Sequence, residues 1–534
     1  MYFHLVSEEK IFLFLFACSA ALGLNSCGLG PSLGSNPSIT PHEPYAISSI
    51  HAIHDSDWSI SFEPLITRSP DGGATLFRKI DDLTYAFEHY DHNSLIMEWS
   101  IPFVQKKHEN WYPTILYRNG KLYSTGIESV DDGDSLTFRT VIIDPGMHQV
   151  TTDKRVFRDF QDEYRFRNLP QKTRYVTEVS PDSTQFLLAR MARADEKEKS
   201  DVDAIILHCH IFDIFGKMID SPVIRIPTQG ISEAGSLKFE DYGMMGMKID
   251  NDANVYVLMM TSNDSLAIYR FSAHGYGTAD RLNISFPSPE FPVADYLLYP
   301  EFWRLDQHLQ RVYLAAGHRK GKEGAMQDIL GVSLDFASKQ VRTMQFTPLK
   351  DSLKKWIDET DLENCMITNI IRDGESGPTT IVMQKSYVIN FARAEWKKHP
   401  IGTGIEQVTE DNLNKGFVLF GFDGEGKPAY QFTFPNKAGH ISSCSFTDPF
   451  HSMLQIFYLD NDIASAGIRR CTLDLVSGKL SAPELVFDCS PGTYLLPFTL
   501  WENPKSAIMF ASGTGWNVTR RLIRNPIIFR LTTP

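Results

Sequence analysis

Two histidine clusters in this chain carry ligand chemistry. His208 and His210 alternate along one predicted strand and so share a side of it. The run from His51 to Asp57 adds His54, Asp55 and Asp57. Zinc needs three or four convergent donors, each held by a second hydrogen-bonded group, and neither cluster supplies such a backed, convergent set alone. Asp250-Asn251-Asp252-Ala253-Asn254 begins like a calcium loop, but Val255 and Thr261 stand where that loop needs its glycine and its last glutamate, so a hairpin turn is expected instead. The expectation is no metal and no cofactor. A third kind of chemistry is aromatic. Trp303 ends the Pro- and aromatic-rich stretch 286–303, and Trp396 stands beside Lys397 in a long insertion, 391–411. An indole face next to an ammonium group could hold a sugar ring or an anion, so Trp303, Trp396 and Lys397 are the candidate ligand-binding residues, expected on one face of the fold. No H-E-x-x-H, Walker loop or C-x-x-C occurs. Catalytic residues are therefore unknown, since paired carboxylates drawn from different strands leave no spacing signal.

The elements that must position these residues are short strands separated by two kinds of turn. One kind precedes an apolar run: Asn119-Gly120, Pro181-Asp182, Asn251-Asp252, Asp306-Gln307, Asp373-Gly374, Asp448-Pro449 and Asn503-Pro504. The other follows a strand, as in VIIDPGMHQV, HIFDIFGKMI and CTLDLVSGKL. The two alternate strictly, and the first kind recurs about every 64 residues. Four-stranded units that cannot bury their faces alone imply an all-β chain, a single β-propeller domain over 46–534 with seven blades, eight being the runner-up. The segment from Arg68 to Ile101 supplies either closing strands or that eighth blade. A string of separate small β-domains is the architectural alternative. Leu349, Leu353, Trp356, Ile357 and Leu362 recur at near-helical spacing, which predicts one short amphipathic rim helix near Asp351 to Glu363. The charged run from Asp195 to Asp203 reads as a solvated loop.

The composition suits a large core: 42% of the 534 residues are hydrophobic and 12% aromatic. With 52 Lys+Arg against 65 Asp+Glu the net charge is −13 and no basic block occurs, which excludes nucleic acid as a partner. Ile11 to Leu24 is an uncharged apolar run, too short to span a bilayer comfortably and of signal-peptide length. Leu24-Asn25-Ser26-Cys27 resembles a bacterial lipobox, although Glu8 and Glu9 are unusual before such a run. The resemblance implies a signal peptide over 1–26, lipidation of Cys27 and membrane attachment through the lipid alone. Residues 27–45, rich in Gly, Pro and Ser, read as a flexible tether. The address is then the cell envelope, as an outer-membrane lipoprotein facing the periplasm, with the cell surface or secretion as alternatives. Of the remaining cysteines, Cys471 and Cys489 flank one hairpin, but equal counting from its turn sets Cys471 opposite about residue 485. Free buried thiols are expected.

The order of SPDSTQFLLAR, LHCHIFDIFGKMIDSPVIRIP, MKIDNDANVYVLMM and IYRFSAHGYG resembles an uncharacterised family of propeller-like exported proteins and lipoproteins of Bacteroidota, over about residues 110–480. That family implies fold and address but no activity. Ser69-Pro70-Asp71-Gly72-Gly73-Ala74-Thr75 also resembles one sialidase Asp-box, and Ile224-Arg225-Ile226-Pro227 the sialidase arginine element. The Asp-box is a turn motif, occurs once here, and precedes the arginine that should come first. The function expected is a non-catalytic binding or scaffold protein whose partner is an unknown envelope protein or glycan. The alternative is a propeller enzyme acting on a glycan or peptide.

Overall fold

The computed structural model describes most of residues 39–533; the longer stretches outside it are 53–64, 161–174, 193–203, 228–243, 286–295, 351–364 and 436–444, and side chains are not described over 365–418. Cys27, the signal segment, the acidic-basic run 195–203 and the helix expected over 351–363 all lie outside the described residues. Among the described residues every regular element is a strand, so the chain is all-β.

The described strands form eight antiparallel sheets of four or five strands each. The first described strands, β1 (Ile39–Pro41) and β2 (Ala46–Ala52), join the last two sheets. The first sheet is β3 (Leu65–Arg68), β4 (Ala74–Lys79), β5 (Thr84–Tyr90) and β6 (Met97–Val104), and the second is β7 (Asn110–Arg118), β8 (Lys121–Val130), β9 (Ser135–Asp144) and β10 (Gln149–Phe160). The third to sixth sheets follow over 175–227, 244–285, 296–348 and 365–435. The seventh spans 445–489 and takes β1 as its fifth strand; the eighth spans 493–532 and takes β2 as its fourth. The segment that could have been closing strands thus makes a sheet of its own. The stretch read as tether is already strand at Ile39, because Ile39 to Pro41 pair with Cys489 to Phe487 and the Tyr45 ring is buried between the seventh and eighth sheets.

Both kinds of turn are hairpins, which explains their alternation. The first kind joins the edge strand of a sheet to its next strand, and the second kind joins the last two strands of the meander; in the fifth sheet that edge strand is split into Tyr296–Leu297 and Trp303–Asp306. In an antiparallel meander those two hairpins close the same end. Asn119-Gly120 is a two-residue turn with φ of 50° and 73°, the left-handed pair that matches strand twist. The run from Ser69 to Gly73 occupies the corresponding turn of the first sheet.

Packing runs from each sheet to the next. Phe77 and Phe87 of the first meet Trp111 and Val141 of the second. Phe138 stacks on Phe212 of the third, with ring centroids 4.2 Å apart. Leu187 and Ile211 meet Met247 and Val257 of the fourth. Tyr256 meets Phe336 of the fifth edge-on, and Gly331 of the fifth faces the Phe422 ring of the sixth. Leu419 and Tyr430 meet Leu454 and Ile456 of the seventh, and Phe457 and Phe487 meet Met509 and Phe529 of the eighth. Ile508, Phe510 and Ile528 then meet Leu76 and Tyr90 of the first, so the series of interfaces returns to its start. Each such side chain contributes roughly 1.5–3 kcal/mol on burial. Arg530 of the eighth sheet latches that last junction. It grips Glu502 through Nε and Nη2, both at 2.8 Å, and donates from Nη1 to the Asn93 carbonyl at 2.9 Å and from Nη2 to that of His92.

The insertion 391–411 is not a loop. Thr379–His399 and Gly402–Phe422 pair along their length, down to His399 opposite Gly402, and so extend as a two-stranded ribbon well past the flanking strands. β-branched and aromatic residues such as Val388, Ile389 and Phe391 favour pairing there, and glycines sit at its turn.

Candidate functional site

The polar cluster with the most chemistry is built on the first sheet, facing the second. The turn between β3 and β4 is closed by Ser69 N to the Gly73 carbonyl and Gly72 N to the Ser69 carbonyl, both at 2.9 Å. Asp71 Oδ1 accepts from Gly73 N at 3.0 Å, which fixes the carboxylate and aims Oδ2 outward from the turn. Gly73 must be glycine, since a Cβ there would run into the Tyr90 carbonyl oxygen.

Asp71 Oδ2 lies 2.9 Å from His89 Nε2 on β5, and Glu98 Oε2 on β6 lies 3.4 Å from the same nitrogen. The other imidazole nitrogen, Nδ1, faces hydroxyl groups: Ser69 Oγ at 3.0 Å and Thr75 Oγ1 at 3.3 Å. Thr75 Oγ1 is in turn 2.8 Å from the Tyr117 hydroxyl of the second sheet. Burial raises the Tyr117 phenol above its ordinary value against the hydrogen bonds of Thr75 and Ser69, so it stays protonated at neutral pH. The His89 ring stacks on Trp99 at 5.3 Å, and His148, from the β9–β10 turn, stacks on Trp99 at 6.0 Å. His89 and Ser69 are each 4% exposed, whereas the Asp71 and Glu98 side chains are about half exposed, at 50% and 52%. An imidazole therefore forms the floor of the site and two carboxylates its mouth.

Ser69, His89 and Asp71 are the residue types of a hydrolase triad, but the arrangement does not act as one. The Ser69 oxygen is buried and also 2.8 Å from Thr75 Oγ1, so no substrate carbonyl can reach it. What the cluster can do is hold a cation or a proton: three donor atoms, one each from Asp71, His89 and Glu98, lie within 4.8 Å of one another, the one such group among the described residues.

Sequence reasoning missed this cluster. Its members stand 18 and 9 residues apart and meet only through the register that sets Thr75 opposite His89 and His89 opposite Trp99. The Asp-box-like turn was the available signal, and it does serve as a turn. Ser180-Pro181-Asp182 repeats it in the third sheet, where Asp182 Oδ1 accepts from Thr184 N at 3.0 Å and from Ser180 Oγ at 2.8 Å.

The other expected residues are scattered. Trp303, expected to face a ligand, starts strand Trp303–Asp306 and is 2% exposed, packed against Gly246 of the fourth sheet; it is corrected to a core residue. Trp396 and Lys397 lie near the tip of the ribbon, opposite Ile405 and Gly404. His210 Nδ1 is paired with Ser221 Oγ at 2.9 Å. Of the 51–57 run only His51 and Ala52 are described. The Asp250 carboxylate is taken up by its own turn, accepting from Asp252 N, Asn254 N and Nδ2, and the Tyr256 hydroxyl, as a hairpin requires. Arg225 faces solvent on an outer strand between the buried Ile224 and Ile226. Cys209, Cys471 and Cys489 are free thiols, and Ala466 rather than Cys471 stands opposite Cys489.

No family model matches the chain, and no curated protein matches it. Among solved structures it is similar to Sqt1 of Saccharomyces cerevisiae (TM-score 0.42, 9% identity, 92% of this chain and 100% of that one). It is also similar to the polysaccharide lyase Uly1 (TM-score 0.39, 9% identity, 88% and 90%) and to the exotype rhamnogalacturonan lyase YesX (TM-score 0.37, 10% identity, 94% and 75%). Likenesses this loose carry no argument about activity.

Proposed function

We propose that the chain is an eight-bladed β-propeller acting as a non-catalytic binding or scaffold module of the bacterial cell envelope, tethered by lipid on Cys27. The observation that supports this best is the series of sheet-to-sheet interfaces returning from the eighth sheet to the first. A closed ring leaves no blade face uncovered and makes a rigid disc whose connecting loops vary freely, the usual platform for recognition. The terminal strand β2, added to the eighth sheet, fits that closure. The cell-envelope address rests on the apolar run 11–24 and Leu24-Asn25-Ser26-Cys27, and kinship with the Bacteroidota propeller-like lipoproteins rests on the order of the hairpin motifs. With Trp303 in the core, Trp396 and Lys397 on the projecting ribbon are the residues assigned to a partner.

The test is affinity capture from envelope extract beside a glycan array, with the parent chain and a variant whose ribbon is trimmed from 387–413 to a short turn. The reading expects a specific envelope partner lost on trimming. Turnover of a bound glycan or peptide would replace it with the enzymatic alternative. Palmitate labelling that survives Cys27→Ala would remove the anchor.

A further inference from the structure

We propose that Asp71, His89 and Glu98 form a binding site for one divalent transition-metal ion of the zinc class. The ligands are His89 Nε2 and one oxygen from each carboxylate, and the remaining positions lie open to solvent on the exposed side. The proposal does not rest on the scaffold reading above.

Four observations carry it. The first is spacing. Metal-to-donor distances of about 2.0–2.1 Å put neighbouring ligand atoms about 2.9 Å apart in octahedral and about 3.4 Å in tetrahedral geometry. The Nε2-to-oxygen distances here are 2.9 and 3.4 Å, so each carboxylate already stands at ligand separation from the imidazole, and all three donor atoms lie within 4.8 Å of one another. The second is orientation. A ligating imidazole is held by a partner on its other nitrogen, and His89 Nδ1 can donate to Ser69 Oγ, leaving the Nε2 lone pair aimed at the carboxylates. Trp99 fixes the ring plane.

The third is charge. Two carboxylates and a neutral imidazole sum to −2, which one divalent ion neutralises, and the imidazole nitrogen selects a zinc-class ion over magnesium or calcium. The fourth is comparison within the chain. The same turn in the third sheet puts Phe186 and Phe212 at the positions of Thr75 and His89, an apolar pair with both rings buried. The third sheet thus fills this position without polar groups. A buried imidazole with two hydroxyls behind it and two carboxylates in front stands where the third sheet has only phenyl rings.

The experiment is isothermal titration of the full chain, stripped of metal and free of any histidine tag, with zinc, alongside Glu98→Gln, Asp71→Asn and Ser69→Ala. All four are first matched by circular dichroism and thermal melting. Asp71→Asn keeps the Oδ1 cap on Gly73, so the turn is retained. One equivalent of zinc is expected to bind the parent. Each ligand variant should bind at least about 100-fold more weakly, and Ser69→Ala about 10–100-fold more weakly, because its loss releases the ring. Cobalt added in place of zinc should give a visible d–d absorption that Glu98→Gln changes. A parent that takes up no zinc, or variants that bind zinc as the parent does, would overturn the site. So would saturation by calcium at the same concentration.

Discussion

The sharpest test of the packing logic is the buried ion pair on the other face of the first sheet. Arg78 donates to Glu88 through Nε at 2.7 Å and Nη2 at 2.8 Å, the two side chains are only 4% and 3% exposed, and the Tyr90 hydroxyl donates to the same carboxylate at 3.0 Å. Removing Glu88 takes its bidentate carboxylate from the buried Arg78, and breaking such a buried pair costs about 3–5 kcal/mol. Glu88→Leu is therefore expected to cost about 4 kcal/mol. Unfolding entropy of about 2.1 cal/mol/K per residue, over a single cooperative unit of about 490 residues, comes to about 1 kcal/mol/K, so Tm should fall by about 4 °C. The triple variant Arg78→Met, Glu88→Leu, Tyr90→Phe removes all three of these polar side chains and leaves an apolar surface like the neighbouring Leu76 and Ile508 contact. It should lie within about 1 kcal/mol of the parent. Calorimetry and urea unfolding of the three proteins decide the matter. If the triple variant is as unstable as Glu88→Leu, or if the single change costs under about 1 kcal/mol, the loss of Glu88 from the buried Arg78 is not what sets the stability of this face.

Glycine replacements should separate conformational strain from collision. Gly120→Ala meets open space at φ 73° and should cost only about 1 kcal/mol, whereas Gly73→Ala drives a Cβ into the Tyr90 carbonyl and should cost several times more in urea unfolding, while displacing His89. Glu502 gives a pH test. Burial would raise its carboxyl, but the hydrogen bonds from Arg530 and Ser506 win and hold it below 4.5, the ordinary value. A depressed carboxylate adds stability above its unfolded pKa and loses it as pH falls through the folded one. The parent should lose more stability than Arg530→Met on going from pH 6 to pH 3, and equal slopes would refute the latch. Burial also pushes the thiols of Cys209, Cys471 and Cys489 up to about 12. Alkylation at pH 8 followed by peptide mass mapping should leave Cys209 and Cys471 unlabelled until the chain is unfolded; rapid labelling of either would show that its sheet opens.

Local chemistry was legible wherever a residue acts on its immediate neighbours. Asn119-Gly120 had to turn because its φ angles suit a two-residue hairpin, and Asp250 had to cap its own loop because a short carboxylate reaches the amides two and four residues on. The alternating burial of Met97–Val104 and the continuous burial of Thr84–Tyr90 follow from their side-chain patterns. From such turns and runs the all-β class and the four-stranded repeat follow from the sequence alone. What only the tertiary structure decided is everything that depends on which strand lies opposite which. Trp303 looked like a loop platform and became core because Gly246, 57 residues earlier, leaves room for its indole in the preceding sheet. The eighth sheet needed β2, whose partner strand Leu522–Thr532 lies at the other end of the chain. Asp71, His89 and Glu98 converge because an antiparallel register brings a turn and two strands to one point. Side-chain type and spacing carry local periodicity, but register is set by the sum of packing across each interface. A site made of residues from three elements is written in that sum.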